Sequence, residues 1–424
     1  MQSDSLIIFF LSLAVMIITA LLFGQIMRRL GQPPVLGELL GGILLGPSVF
    51  GSLAPGIFQK LFPMSGPAFI GREAIIYLGL MFFLFVAGLE IRLGELKSQG
   101  RAILMTSFMG MAVPFVLGVW AVLGFRGLWS AQAQAPDLGF AVFMGTALAI
   151  SALPVIVKIL TDLNLLRTPF GGLVVSSATL NDLAGWLLFA VLLARFVHGT
   201  GNPWVTIVLV IAVFVLVLTW GRRLGRHLIP LLEKWCPGPS GFIAVTAAFV
   251  LLAAAFMEAV KIHAIFGAFL VGVALTPDDE HRKDTQEIIY QFVTGFFAAP
   301  VYFVSIGLRV NFIANFDFYL VTFVLTVACL GKILGASVGA RLSGVPFKKS
   351  LALGFALNAR GAMEVILAGI ALEYGIVHES IFVALVVTAL ITSMIAGPAI
   401  RLFLSGDNAT MGQDFNCKLT AGYL

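Results

Sequence analysis

Charge is what this chain has least of. Only 11% of its 424 residues are Asp, Glu, Lys or Arg, against roughly a quarter in an ordinary soluble domain. Hydrophobic residues make up 59%, Phe alone contributes 37, and mean hydropathy is +1.03. No water-soluble fold hides that much apolar surface. Cysteine is also scarce: Cys236, Cys329 and Cys417 are scattered and odd in number, which argues against a disulfide framework or a thiolate zinc site. The histidines His198, His227, His263, His281 and His378 fall in or near loops. No metal-ligand cluster, nucleotide-binding glycine loop or catalytic triad is present, so an enzyme is not expected and no cofactor is expected. The formal charge of +5 sits in short loops, where membrane topology collects basic residues, and no nucleic-acid partner is inferred. The apolar stretch Leu6 to Phe23 follows Asp4 with no basic residue before it, which reads as a first span rather than a secretory signal.

What the chain has instead is long apolar runs. Between polar or Pro/Gly breaks they fall at 5–27, 35–50, 72–90, 103–124, 138–160, 170–196, 203–222, 240–258, 262–276, 288–309, 316–342, 348–374 and 380–404. This predicts an all-α polytopic membrane protein of about 13 transmembrane helices. Lys and Arg give an independent test. One set of alternate loops collects most of them, from Arg28 and Arg29 through Arg222, Arg223 and Arg226 to Arg401 and Lys418; the other holds only Lys60, Arg72, Arg126, Arg195, Lys261 and Arg309. The positive-inside rule then places the N-terminus outside and the C-terminus in the cytoplasm. A bacterial inner membrane is the expected location.

The chain also repeats itself. Val35 to Pro47 in the second span aligns with Ile265 to Pro277 in the ninth, matching Gly37, Leu40, Gly42 and Pro47 to Gly267, Leu270, Gly272 and Pro277 at constant spacing. The third and tenth spans end alike, in Ala87-Gly88-Leu89-Glu90 and Ile306-Gly307-Leu308-Arg309. Spans one to six would thus recur as eight to thirteen with the seventh as a linker, two six-helix repeats inserted in opposite senses. Small-xxx-small glycines are also ordinary packing devices in membrane helices.

Few charges lie deep in the spans. Asp182, beside Asn181, is mid-way along the sixth span, and Lys332 is as deep in the eleventh. An intramembrane acid is costly and marks an ion or proton pathway. Two spans carry helix interruptions near the same depth: Ala149-Ile-Ser-Ala-Leu-Pro154 in the fifth and Asn358-Ala-Arg-Gly361 in the twelfth. Broken backbone in a membrane survives only when buried in protein or lining a wet cavity, and its freed carbonyls are natural ion ligands. Ser151 and Asn181 are the hard donors expected beside Asp182, although a helix–helix hydrogen bond suits Asn181 equally well. Arg360 and Glu364, four apart on one helix, are expected to neutralise each other and to hold the break together. Glu38, in the glycine-rich second span, is a weaker candidate for the ion pathway.

These segments together resemble the monovalent cation:proton antiporters of the bacterial Kef and NapA type and the plant CHX type. The residues that carry the resemblance are Phe82 to Glu90, Ala149 to Leu160, Ala178 to Trp186, Phe303 to Leu308, Gly331 to Gly335 and Asn358 to Glu364. It covers about 5–404. The resemblance implies a homodimer in which 1–100 and 239–312 form a scaffold and 101–197 and 313–404 form a transport core with crossed broken helices. A linker helix and cytoplasmic loop at 198–238 and a short cytoplasmic tail at 405–424 complete this division. The core would move as a unit, as an elevator, to give alternating access. Two features depart from many relatives. Asn181-Asp182 stands where electrogenic members carry two acids, and Ser151 stands where many have Thr. The Kef-type potassium systems usually append a cytoplasmic nucleotide-binding domain, which is not expected here.

The expected chemistry is competition of a monovalent cation, Na⁺ or K⁺, with a proton for Asp182. Lys332 either stays protonated, giving one-for-one electroneutral exchange, or pairs with Asp182 and releases a proton when the cation enters. The first scheme is preferred. The rival class is a sodium-coupled organic-solute carrier of related architecture.

Overall fold

The structure is a computed structural model that describes residues 3–89, 100–129, 137–166, 168–197, 203–221, 223, 239–260, 262–275, 293 and 298–404. Most of the loop after the seventh span, most of 288–297, the tail 405–424, Glu90 and Pro277 lie outside them. The described chain is helical. In order the helices are α1 Ser3–Arg29, α2 Pro34–Leu45, α3 Phe50–Leu53, α4 Pro55–Leu61, α5 Pro67–Leu89, α6 Gly100–Gly124, α7 Arg126–Trp129, α8 Asp137–Ala149, α9 Leu153–Asp162, α10 Pro169–Val197 and α11 Pro203–Leu216. There follow α12 Pro239–Ala259, α13 Ala264–Leu275, α14 Ala298–Arg309, α15 Phe318–Leu342, α16 Phe347–Leu357, α17 Ala362–Glu373 and α18 Glu379–Leu404. Among the described residues eight helices are long and apolar enough to cross a membrane, and α16 with α17, bent by 42°, would make a ninth span.

The ends of these helices follow from local chemistry. Proline is the first residue of α2, α4, α5, α10, α11 and α12, where its missing N–H removes a donor that would have no intrahelical partner. Asp317 caps α15 by accepting from the N–H groups of Tyr319 and Leu320 at 2.9 and 3.1 Å. In hydrocarbon every backbone group must be satisfied internally, so an apolar segment of this length has little choice but to be helical.

The chain divides into two compact units, Met1–Arg92 with Ala190–Asn315, and Leu93–Phe189 with Phe316–Leu424. The first is locked by glycines that let backbones touch. A Cβ at Gly42 would strike Val304, and one at Gly307 would strike Gly42 and Ile43, so α2 lies directly on α14. In the same manner a Cβ at Gly272 would strike Phe85 and Gly88, and one at Gly88 would strike Phe269, which presses α13 onto α5. Gly37 sits on Phe23 and Gly24 of α1, and Gly267 sits on Ala253 and Ala254 of α12.

In the second unit α6 lies along α15. Gly331 meets Pro114, Gly335 meets Met109 and Val113, and Gly339 meets Met105 and Thr106. Gly118 and Gly145 bring α6 against α8. An apolar cluster that includes Ile156, Leu160, Leu173, Val174, Leu353, Leu357 and Ile400 fills this unit. It surrounds the two interruptions: α8 stops at Ala149 and α9 resumes at Leu153, while α16 stops at Leu357 and α17 resumes at Ala362.

Candidate functional site

The uninterrupted helix α10 carries Asn181 and Asp182, only 1% and 3% exposed. α15 brings in Lys332, fully buried, between the glycines that seat it on α6. With its amide turned to satisfy both ends, Asn181 donates from Nδ2 to the Ser107 carbonyl at 2.9 Å and accepts from Lys332 Nζ at 3.1 Å. Asn181 is therefore a bridge among α6, α10 and α15, with its oxygen already engaged by an ammonium. The charges of Asp182, Arg360 and Glu364 all act on Lys332.

The end of α8 explains where the cations go. The last carbonyls of a helix have no intrahelical donor and carry the negative end of the helix dipole. Arg360 donates from Nη1 to Ala147 O at 3.0 Å and from Nη2 to Leu148 O at 2.5 Å. Lys332 Nζ donates to Ala149 O. Three successive orphan carbonyls are thus met by two side chains, one from α15 and one from the gap between α16 and α17. Arg360 Nη1 also pairs with Glu364 Oε1 at 2.9 Å, with both side chains buried. Arg360 lies in the gap before α17 rather than on the helix that carries Glu364, and from there it ties that carboxylate to the end of α8.

The two interruptions are stitched to each other. Ser151 Oγ donates to Leu357 O at 2.8 Å, and Ala152 N donates to Ala359 O at 3.0 Å. A Cβ at Gly361 would press on Val155 and Ala152, so glycine permits the approach. Pro154 stands in the first turn of α9 rather than within the gap. There it cannot offer the N–H that a continuous helix through Ile150 would require. Asn358 caps the end of α16, and its Nδ2 donates to Cys329 Sγ at 3.4 Å.

Ser151, Asn181, Lys332, Asn358, Arg360, Gly361 and Glu364 thus enter one set of contacts, with Asp182 next to Asn181 in the same unit. Glu38 belongs to the other unit, buried in α2. Three participants were not singled out from sequence. Ser107 offers its carbonyl to Asn181, Cys329 receives the Asn358 amide, and Ser393 Oγ donates to Arg360 O. Cys329 had a signal, since it lies one turn before Lys332. A backbone carbonyl such as that of Ser107 has none, because every residue type supplies it.

Residues 15–406 match the family described as "Sodium/hydrogen exchanger, transmembrane". The chain is 34% identical over 402 residues to cation/H(+) antiporter 17 of Arabidopsis thaliana, covering 92% of this chain and 47% of that protein. It thus spans about half the length of the plant relatives it matches. It is 31% identical over 408 residues to the Na(+)/H(+) antiporter NhaS4 of Synechocystis sp., covering 94% of this chain and 98% of that one. The fold is similar to that of the sodium proton antiporter MjNhaP1 from Methanocaldococcus jannaschii, with a TM-score of 0.63 at 15% identity over 95% of this chain and 98% of that one.

Proposed function

Because the chain belongs to the sodium/hydrogen exchanger transmembrane family, we propose that it exchanges a monovalent cation, Na⁺ or K⁺, for protons across a membrane by alternating access. Asp182 binds cation and proton in competition. The observation that carries this reading is a buried carboxylate beside two interrupted helices that are stitched together by Ser151 and Ala152. A carboxylate at this depth is costly to bury and marks an ion or proton pathway, and broken helix ends supply oxygen ligands for a dehydrated cation.

Lys332 and Arg360 have a different task in this scheme. They hold the end of α8, so Lys332 remains protonated and one cation exchanges for one proton without net charge movement. The relatives named above are cation/proton antiporters, which leaves the organic-solute carrier without support. The unit Leu93–Phe189 with Phe316–Leu424 is the moving core, and the other is the scaffold and dimer surface. The matched pairs α2 on α14 and α13 on α5, with Gly37 and Gly267 seated alike, support inverted repeats and a count of about thirteen spans. The orientation inferred from Lys and Arg is retained.

The test is cation-driven proton movement in proteoliposomes of the wild type and Asp182→Asn, offered Na⁺, K⁺ or Li⁺, with membrane potential clamped or free. The expected result is flux in the wild type that is lost in the variant and insensitive to the clamp. Undiminished flux in Asp182→Asn would overturn the mechanism.

A further inference from the structure

We infer that Asn358 supplies a cation ligand from the second interruption, and that Cys329 positions it; this rests on the reading of the protein as a cation/proton exchanger. Asn358 is 3% exposed, yet its Oδ1 has no hydrogen-bond partner. Buried hydroxyls such as Thr106 and Ser337 also lack a partner, but a hydroxyl is itself a donor that rotates toward a nearby carbonyl. An amide oxygen only accepts, so it needs a donor or a cation brought to it. The two buried basic side chains of this region are turned elsewhere. Lys332 faces Ala149 and Asn181, and Arg360 faces Ala147, Leu148 and Glu364.

The position of Asn358 fits the role. Its two chain neighbours, Leu357 and Ala359, are the residues whose carbonyls receive Ser151 Oγ and Ala152 N. Asn358 is therefore held at the crossing of the two interruptions. Its other amide atom, Nδ2, donates to Cys329 Sγ at 3.4 Å, which leaves Oδ1 as the end of the amide turned to accept. A neutral oxygen there adds coordination without adding a charge. It suits a monovalent ion and does not change the charge balance set by Asp182.

The experiment measures both transport and binding in the full chain. Cation-driven proton flux in proteoliposomes gives KM and kcat for Na⁺ and K⁺. The thermal stability of purified protein, titrated with NaCl or KCl against choline chloride, reports binding without turnover. Asn358→Leu is expected to raise KM and the half-stabilising cation concentration about tenfold or more, the scale of a lost buried ligand, with a smaller change in kcat. Asn358→Asp, which keeps an oxygen in place, is expected to recover cation-dependent stabilisation. If Asn358→Leu does not fold, Cys329→Ala decides the matter. It is expected to raise both values severalfold, and Cys329→Ser, which again offers an acceptor to the amide, to reverse the rise. A fall in kcat with KM and half-stabilising concentration unchanged would mean that Asn358 only holds the backbone break, and would overturn the inference. Wild-type protein with neither cation-driven flux nor cation-dependent stability would instead remove the exchanger reading, and this inference with it.

Discussion

Lys332 Nζ donates to the carbonyl of Ala149, 183 residues earlier in the chain. An ammonium deep in α15 is thereby attached to the broken end of α8. Arg360 does the same for Ala147 and Leu148 from the segment between α16 and α17. The interrupted helix is held by cationic side chains, and Asp182, proposed above as the acid that takes the transported ions, sits on the intact helix α10. The proposed mechanism then divides the labour: α10 would give a fixed carboxylate, and the stitched interruptions neutral oxygens.

Removing the Lys332 charge should weaken the fold without making exchange electrogenic. In Lys332→Gln the Ala149 carbonyl and the Asn181 oxygen lose an ionic donor, at a cost of about 1.5–3 kcal/mol. Thermal unfolding of the purified variant should show the loss, while its residual cation/proton flux stays indifferent to a potential clamp. Flux that becomes dependent on the clamp would show that Lys332 takes part in proton coupling.

Breaking the Arg360–Glu364 pair should cost more than deleting it. Arg360→Met leaves Glu364 buried at 1% exposure without its counter-charge, and losing one partner of a buried pair typically costs about 3–5 kcal/mol. Glu364→Met should also destabilise. The double variant should be less damaged than the sum of the two, though still short of wild type because the Ala147 and Leu148 carbonyls lose their donor. A thermal-unfolding double-mutant cycle measures the coupling, and strict additivity would contradict the pairing.

Much of this was legible in the sequence, for a physical reason. Lipid tolerates few charges, so a lone Asp182 or Lys332 is conspicuous, and a Pro or an Asn-Ala-Arg-Gly segment inside an apolar run is a visible interruption. The four-residue spacing of Arg360 and Glu364 suggests their pair, although Arg360 stands in the break before α17 rather than on one helix with Glu364. What sequence did not reveal is which carbonyls the cations serve. Every residue has a carbonyl, and only the packing of α8 against the second interruption makes those of Ala147, Leu148 and Ala149 special. The same holds for Asn181. Its side chain suits both a ligand and a bridge, and the Ser107 carbonyl that it reaches on another helix leaves no mark in the sequence. The glycine motif suggests a repeat, but the interlock of Gly42 with Val304 and of Gly88 with Gly272 depends on how separate spans meet.

The interlocking glycines should tolerate no side chain. Gly307→Ala and Gly272→Ala each drive a Cβ into the backbone of a facing helix, and overpacking of this kind costs about 1–3 kcal/mol. Gly172→Ala is the control. It lies in the first turn of α10 with open space where its Cβ would be, and alanine there should be neutral or stabilise by up to about 1 kcal/mol. Comparing the thermal unfolding of the three variants tests the contacts, and an equal loss in all three would contradict them.

Competition at a single carboxylate makes a kinetic signature that no structural role for Asp182 reproduces. Under the proposed mechanism each proton bound to Asp182 excludes a cation, and each cation excludes a proton. On the acid side, lowering the pH should therefore raise the apparent KM for the cation, approaching about tenfold per pH unit where the protonated carboxyl dominates, while flux at saturating cation is unchanged. Raising the cation concentration should shift acid inhibition to lower pH by the same rule. Initial rates of proton movement in proteoliposomes, taken over a grid of pH and cation concentration, provide the measurement. A maximal rate that falls with acid at every cation concentration, with KM constant, would place the inhibiting proton on some group other than Asp182.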